Sequence, residues 1–275
     1  YTKTLTDMTA WLKEMQKTYP DLKLTLPFCT QEYMSNGQSY YRNFPANIQI
    51  VMTGGRVWGE VTNNFTTTFT NNAGRGPYMW INWPCTDNSK KHLIMGGYTT
   101  FLHPGVDPNK IQGIVLNPMQ QSEPSKVAIF GNACYSWNIW QNEEEAQKCW
   151  NASFKYVDHN SAIETQASAA LRELSKHMIN QNMDGRVTAL QESVDLKDRL
   201  TSFKEALTNG TTISDEQFED LINEFTILKN ASATYRAQAG DIRIKDQIVY
   251  WLNCWDDTAD AAINYLKAVK AVQDE

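Results

Sequence analysis

Two short apolar runs in this chain stop abruptly at an asparagine, and these endings limit what the chain can fold into. Residues 78–81 end at Asn82 and residues 113–116 end at Asn117, each with a proline one or two residues later. A buried strand ends in this way when its last side chain is needed at the mouth of a site rather than in the core. Amides and carboxylates can bracket the hydroxyls of a sugar, and an aromatic side chain can cover its ring. The candidate binding residues at these endings are Asn82, Asp87, Asn117 and Trp80.

Composition excludes several classes of protein. The net charge of −6 and the lack of a basic stripe argue against a nucleic-acid-binding surface. No apolar run approaches the length of a membrane span, so no membrane partner is expected. The five cysteines have no close pairs and the four histidines have no common ligand spacing. We therefore predict no metal site and no cofactor.

The first half of the chain alternates between strand-like and helix-like segments. A helix over residues 5–19, with Met8, Leu12 and Met15 on one face, precedes the first strand. A further helix is expected to begin at residues 122–124 and to follow the last strand. Strands that alternate with helices indicate a parallel sheet. Four strands in about 140 residues are half of what an eight-stranded β/α barrel uses. The predicted strands are residues 22–28, 47–53, 78–82 and 111–117.

The second half is helical throughout, which predicts a helical bundle. A capping box at Ser214–Gln217 opens one of its helices. The expected domains are residues 1–158, which hold the strands, and residues 159–275, which form the bundle. The predicted apolar stripes are Ile163, Ala167, Leu171 and Leu174; Leu196, Leu200, Phe203 and Leu207; Phe218, Leu221, Ile222 and Phe225; and Ile248, Leu252, Trp255, Ala259, Ile263 and Leu266.

Several motifs, taken together, resemble glycoside hydrolase family 84. That family contains β-N-acetylglucosaminidases, among them O-GlcNAcases and bacterial proteins labelled hyaluronidases. The similarity runs in order from near residue 1 to about residue 155, and the helices that follow look like the bundle domain of the family. The motifs are WINWPCTD at 80–87, NPM at 117–119, SKVA at 125–128, YSWN at 135–138, QEY at 31–33 and TG at 53–54.

The resemblance implies a (β/α)8 TIM barrel, of which this chain would carry strands five to eight, followed by a helical bundle. It also implies retaining hydrolysis in which the 2-acetamido oxygen of the substrate attacks the anomeric carbon. Two adjacent aspartates at the end of the fourth strand would assist, and we expect that pair upstream of residue 1. The adjacent Asp256 and Asp257 lie in a regular helical pattern, so we interpret them as a solvated face and assign no catalytic residue in this chain.

The resemblance also implies a role for each candidate residue. Asp87 and Asn117 would bind the outer hydroxyls of the non-reducing sugar. Asn82 and Tyr33 would lie near the acetamido group, and Trp80 and Thr53 would line the acetyl pocket. Structural interpretations remain open for each type of residue: a turn cap for Asp87, bonds to strand-end backbone for the two asparagines, and a core position for Trp80.

Two functions from different classes are compatible with these observations. The first is a fragment of a β-N-acetylglucosaminidase that binds a glycan or glycoprotein containing N-acetylglucosamine and needs the missing N-terminal half of its barrel. The second is a non-catalytic carbohydrate-binding or helical interaction module. The sequence has no signal for a compartment, and a bacterial secreted or cell-surface location is compatible with the resemblance.

Overall fold

The computed structural model describes residues 1–87, 89–179 and 193–275. Two short 3-10 helices, Ser39–Asn43 and Pro108–Lys110, accompany the strands and α-helices. In chain order the other elements are α1 (Thr2–Thr18), β1 (Leu26–Cys29), β2 (Ile48–Met52), α2 (Asn63–Ala73), β3 (Tyr78–Ile81), α3 (Tyr98–Phe101), β4 (Gly113–Leu116), α4 (Lys126–Trp137), α5 (Glu143–His159), α6 (Gln166–Ser175), α7 (Val194–Asn209), α8 (Asp215–Gln238), α9 (Ile242–Gln247) and α10 (Val249–Asp274).

The four strands form an open parallel sheet in the order β1-β2-β3-β4. This confirms the prediction of a mixed α/β structure with a parallel sheet. The first strand begins four residues later than predicted, because the Leu22 amide closes a turn onto Tyr19 instead of pairing. The fourth begins two residues late, at Gly113, where a Cβ atom would lie 2.5 Å from the Tyr78 ring on β3. A glycine there lets the two strands approach each other.

The two faces of the sheet differ sharply in burial. On one face Ile48, Ile50, Met52, Met79 and Ile81 are completely buried. On the opposite face Pro27, Cys29 and Trp80 are exposed, Gln49 is half-buried and Val51 is buried. Aligned residues of parallel strands point to the same side, so these residues share what we call the open face.

The first helix forms over residues 2–18 rather than the predicted 5–19, and Leu12 and Met15 of its predicted apolar face are half-buried. Leu5 and Thr9 are the buried residues of α1, and the Thr9 hydroxyl donates to the Leu5 carbonyl at 2.7 Å. Met8 was predicted on the apolar face and is 43% exposed. The prediction for Met8 was therefore wrong, because a threonine that bonds its own helix backbone occupies the buried position.

The chain divides into two compact units that interleave along the sequence. The sheet unit comprises residues 1–85, 98–118 and 131–147. The helical unit comprises residues 86–97, 119–130 and 148–275. Because both units draw on several segments, they do not test the predicted boundary between residues 158 and 159, which stays a prediction.

Within the helical unit, α8 packs against both α6 and α10. The buried residues of α8 recur every three or four positions, from Phe218 to Tyr235, as expected for the inner face of a helix. Among the other stripes, Ile163 lies before α6 and is 76% exposed, so its assignment to that stripe was wrong. Leu196 and Phe203 of α7 are buried, whereas Leu200 and Leu207 of the same stripe are exposed. No helix within the described residues is long and apolar enough to cross a bilayer.

Candidate functional site at the carboxyl ends of the strands

Three candidate residues directly follow three neighbouring strands. Thr53 follows β2, Asn82 follows β3 and Asn117 follows β4. Because the strands are parallel and in register, their carboxyl ends meet at one edge of the sheet. This edge is where open α/β sheets and β/α barrels carry their ligand sites.

Asn82 is at the centre of the hydrogen bonds at this edge. Its side-chain carbonyl accepts from the Trp80 indole N–H at 2.9 Å and from the Asn117 side-chain amide at 3.1 Å. Its own amide donates to the backbone carbonyl of Val57 at 2.7 Å. Two predicted residues, Trp80 and Asn117, therefore both contact a third, Asn82. The interpretation in which Asn82 bonds backbone also holds, but the backbone belongs to the loop after β2 rather than to its own strand end.

Trp80 lies on the open face rather than in the core. It is 43% exposed, and its indole N–H is fixed by Asn82. The neighbouring tryptophan, Trp83, is the buried one, since it is completely inaccessible and stacks on Phe101 with ring centroids 5.6 Å apart. The core interpretation of Trp80 was therefore wrong, and part of this side chain is accessible to a ligand.

Thr53 and Tyr33 meet through the backbone. The Thr53 amide donates to the Tyr33 carbonyl at 3.0 Å, and the Thr53 hydroxyl donates to the Arg56 carbonyl at 2.6 Å. Thr53 is buried and Tyr33 is half-buried. Upstream of Tyr33, the Glu32 carboxylate accepts from the Tyr40 hydroxyl and, at 3.1 Å, from the Tyr41 hydroxyl. The loop that carries Tyr33 is therefore held from both sides.

The sixth candidate, Asp87, belongs to the helical unit. It is exposed in the turn at the end of the WINWPCTD motif, where the Ser89 amide donates to the Thr86 carbonyl at 2.9 Å. The other five candidates belong to the sheet unit. The role of Asp87 thus stays a prediction from the motif.

Sequence reasoning missed the loop between β2 and α2. Residues 54–60 carry the Val57 carbonyl that holds Asn82, and they include Arg56 and Glu60, whose side chains form an ion pair. The carboxylate of Glu60 also bonds the His103 ring Nε2 at 2.9 Å. Residues 55–60 lie outside the motifs, and the loop contacts Asn82 through its backbone, so side-chain patterns carried no signal for it.

The adjacent aspartates of the last helix, Asp256 and Asp257, differ in their contacts. Asp256 accepts a hydrogen bond from Arg236 of α8 at 2.9 Å, and Asp257 is exposed. The Arg236 guanidinium thus links this carboxylate of the last helix to the neighbouring helix. Elsewhere in the described ranges, no group of three or more histidine, cysteine, aspartate or glutamate residues is arranged to hold a metal ion.

Residues 1–176 match the profile of the β-N-acetylglucosaminidase family. The chain belongs to that family. The motif-based assignment to glycoside hydrolase family 84 is thereby confirmed, and solved structures of that family are similar over nearly the whole chain.

Three solved structures illustrate the similarity. CpGH84D is 27% identical with a TM-score of 0.82, and the match covers 98% of this chain and 44% of that chain. CpGH84B is 20% identical with a TM-score of 0.77, covering 98% of this chain and 47% of that chain. A mutant of the Thermobaculum terrenum O-GlcNAc hydrolase is 18% identical with a TM-score of 0.70, covering 96% and 56%. The chain therefore spans about half the length of these proteins.

Proposed function

We propose that this chain forms the sugar-binding side of a retaining β-N-acetylglucosaminidase that removes terminal β-linked N-acetylglucosamine from a glycan or glycoprotein. The observation that carries this proposal is the contact of Asn82 with both Asn117 and Trp80 at the carboxyl edge of the sheet. Two amides beside an accessible aromatic face suit a ring that bears hydroxyls and an acetamido group. Membership of the family supports this substrate class.

Each candidate residue has a role in this proposal. Asn82 and Tyr33 lie beside the acetamido group, and the methyl of that group packs between Trp80 and Thr53. The hydroxyl of Thr53 is committed to a backbone carbonyl, so this residue offers the pocket its methyl group rather than a donor. Asn117 and Asp87 bind the outer hydroxyls of the sugar. Charge-assisted bonds such as those of Asp87 are roughly twice as strong as neutral ones.

The proposed chemistry is assisted by the substrate. The 2-acetamido oxygen attacks the anomeric carbon, the glycosidic oxygen leaves with a proton from a general acid, and water then opens the resulting oxazoline. The two aspartates that orient the acetamido group and transfer the proton belong, in this proposal, to residues that precede Tyr1. The chain itself holds and orients the sugar. The chain matches about half of each related structure, which supports the proposal that it binds the sugar while the preceding residues supply the two aspartates.

We further propose that β1 to β4 are strands five to eight of a (β/α)8 barrel and that the helices after residue 158 form its bundle domain. The open face supports this proposal, because Pro27, Cys29, Gln49 and Trp80 would point into the interior of a closed barrel. Opposite this face, five residues of β2 and β3 are already completely buried. The preceding strands would cover the open face.

Binding of an N-acetylglucosamine-like inhibitor tests the proposal in the longer protein that contains this chain. Calorimetry should show roughly 10- to 150-fold weaker binding for Asp87→Ala, which corresponds to losing a hydrogen bond to a charged group of about 1.5–3 kcal/mol. The matched control is Asp21→Ala, an exposed aspartate of the sheet unit outside the proposed site. Unchanged affinity for Asp87→Ala would remove this residue from the site. Absence of any binding by the unmodified protein would refute the proposed function and leave a non-catalytic interaction module.

A further inference from the structure

The loop of residues 54–60 is closed on itself. A Cβ atom on Gly59 would lie 1.8 Å from the Thr53 carbonyl oxygen, and one on Gly54 would lie 2.8 Å from the Glu60 carbonyl oxygen. Gly54 also has a φ of +91°, which favours glycine. The two ends of the loop are therefore in contact with each other. Its Val57 carbonyl is the acceptor for the Asn82 amide.

The Glu60 carboxylate bonds two basic side chains at this loop. Glu60 pairs with Arg56 inside the loop, and its other oxygen bonds the His103 Nε2 at 2.9 Å. Arg56 in turn donates from Nε to the Trp58 carbonyl at 2.9 Å, so the guanidinium links the carboxylate to the loop backbone. Only about a quarter of the Glu60 side chain is exposed, so solvent does not replace these contacts.

His103 is a fixed anchor for that carboxylate. Its amide donates to the Val61 carbonyl at 3.0 Å, and its carbonyl accepts from the Tyr135 hydroxyl at 2.7 Å. The Val61 amide donates to the Phe101 carbonyl at 2.7 Å. The backbone of Val61, which directly follows the loop, is thus hydrogen-bonded to the residues on either side of Leu102. Because these hydrogen bonds hold the backbone of His103, its side chain can position the neighbouring 54–60 loop.

We propose that Glu60 is a positioning residue for the sugar site. Held between Arg56 and His103, it fixes the 54–60 loop, and the loop fixes Asn82 through the Val57 carbonyl. Glu60 itself does not touch the sugar in this arrangement. The inference rests on the proposed function for its consequence in sugar binding, but the geometry it describes exists without a sugar.

The charges around this contact favour the ion pairs. The hydrogen bond to Glu60 raises the pKa of His103 above its ordinary value of 6.5, with burial opposing and the charges of Glu60 and Glu143 assisting. The hydrogen bond from His103 lowers the pKa of Glu60 below 4.5, with burial opposing and Arg56 assisting. Both groups are therefore charged over a range of mildly acidic pH.

Two readouts test the proposal in the protein that contains this chain. Selective ¹⁵N-tryptophan labelling reports the Trp80 indole N–H, which donates to Asn82, and Trp80→Phe identifies its signal. In the unmodified protein this signal should move with pH, with a midpoint above 6.5 that matches the titration of His103. Glu60→Gln keeps the shape of the side chain and removes its charge, so it should abolish that movement. Glu14→Gln, which removes an exposed carboxylate from α1 of the same unit, should not.

Sugar binding provides the second readout. Loss of a hydrogen bond that positions a ligand-binding group should weaken inhibitor binding about two- to tenfold in Glu60→Ala, and Glu60→Gln should recover part of that loss. A Trp80 signal without a midpoint matching His103 in the unmodified protein would overturn the proposal, as would unchanged affinity in Glu60→Ala. If the Trp80 signal depends on Glu60 but no sugar binds, the positioning holds and the proposed function fails. The two failures are therefore distinguishable.

Discussion

The side chains of Asn82 and Asn117 are joined by a hydrogen bond of 3.1 Å from the amide of Asn117 to the carbonyl of Asn82. The Asn117 backbone amide also donates to the Ile81 carbonyl at 2.9 Å. The ends of β3 and β4 are thus connected through both backbone and side chains. A pair of amides fixed before the ligand arrives loses little conformational freedom on binding.

Removing the central amide should loosen this edge of the sheet. Asn82→Ala leaves the Val57 carbonyl, the Trp80 indole and the Asn117 amide without their partner. We expect the free energy of unfolding to fall by about 1–3 kcal/mol, as for other partly buried polar groups left unpaired. Urea denaturation of the purified chain measures this loss. The control is Asn223→Ala on the exposed side of α8, for which a change within about 0.5 kcal/mol is expected. Equal stability of the two variants would contradict the bridging role of Asn82.

The chain alone should not hydrolyse an aryl N-acetyl-β-glucosaminide above background. A positioned general acid contributes about a hundred- to ten-thousand-fold to such a reaction, and in our proposal both aspartates precede residue 1. The test is a fluorogenic assay at high enzyme concentration on the chain and on Asp256→Asn. Turnover that disappears in Asp256→Asn would show that the helical pair is catalytic and that our interpretation of its bond to Arg236 is incomplete.

The thiol of Cys29 can report whether the open face becomes covered. Cys29 and Cys254 are both exposed, whereas Cys85 is buried. A thiol reagent should therefore label Cys29 and Cys254 in the folded chain. In the longer protein we expect at least tenfold slower labelling of Cys29, since a barrel interior excludes the reagent, while Cys254 keeps its rate. Peptide mapping by mass spectrometry separates the two sites. Equal rates at Cys29 with and without the preceding residues would contradict the half-barrel proposal.

His177 should make the stability of the helical unit depend on pH. Its side chain is 4% exposed, and neither ring nitrogen has a hydrogen-bond partner among the described residues. Burial lowers the pKa of His177 below 6.5. Below that pH the unfolded chain therefore binds a proton at this residue more readily than the folded chain does. Stability should therefore decrease as the pH falls below 6.5.

Replacing His177 by leucine tests that expectation. His177→Leu removes two unpaired polar atoms beside Trp255, and we expect a gain of about 1 kcal/mol or more at pH 7. The gain should be larger at pH 5, because only the histidine protein has a proton to take up on unfolding. Urea denaturation at the two pH values measures both numbers. A smaller gain at pH 5 than at pH 7 would show that His177 is not buried as a neutral group.

Local sequence patterns were sufficient for some of the element ends. The Ser214 hydroxyl accepts from the Gln217 amide at 3.2 Å and the Gln217 side chain accepts from the Ser214 amide at 3.0 Å, which is the predicted capping box. The strands that stop at Asn82 and Asn117 stop there in the structure. In each case the determining groups lie within a few residues of one another.

Contacts between distant residues could not be predicted in the same way. Glu60 and His103 are 43 positions apart, and their contact depends on how the segment after α3 pairs with Val61. The side of the sheet on which Trp80 lies depends on a strand register that an apolar run of four residues does not specify. Leu200 and Leu207 fit a helical period, yet they are exposed because the neighbours of a helix decide which part of a stripe is covered.

The composition of β1 determines which strands can pair with the free edge of the sheet. The Leu26 amide donates to Asn47, so it points toward β2, and alternate residues of the strand point their backbone groups the other way. On that free side stands Pro27, which has no N–H to donate. An incoming strand would find carbonyl acceptors there but few donors. Indiscriminate edge-to-edge stacking of identical chains is thereby disfavoured, and the natural neighbour of β1 must be one that can donate where this strand accepts.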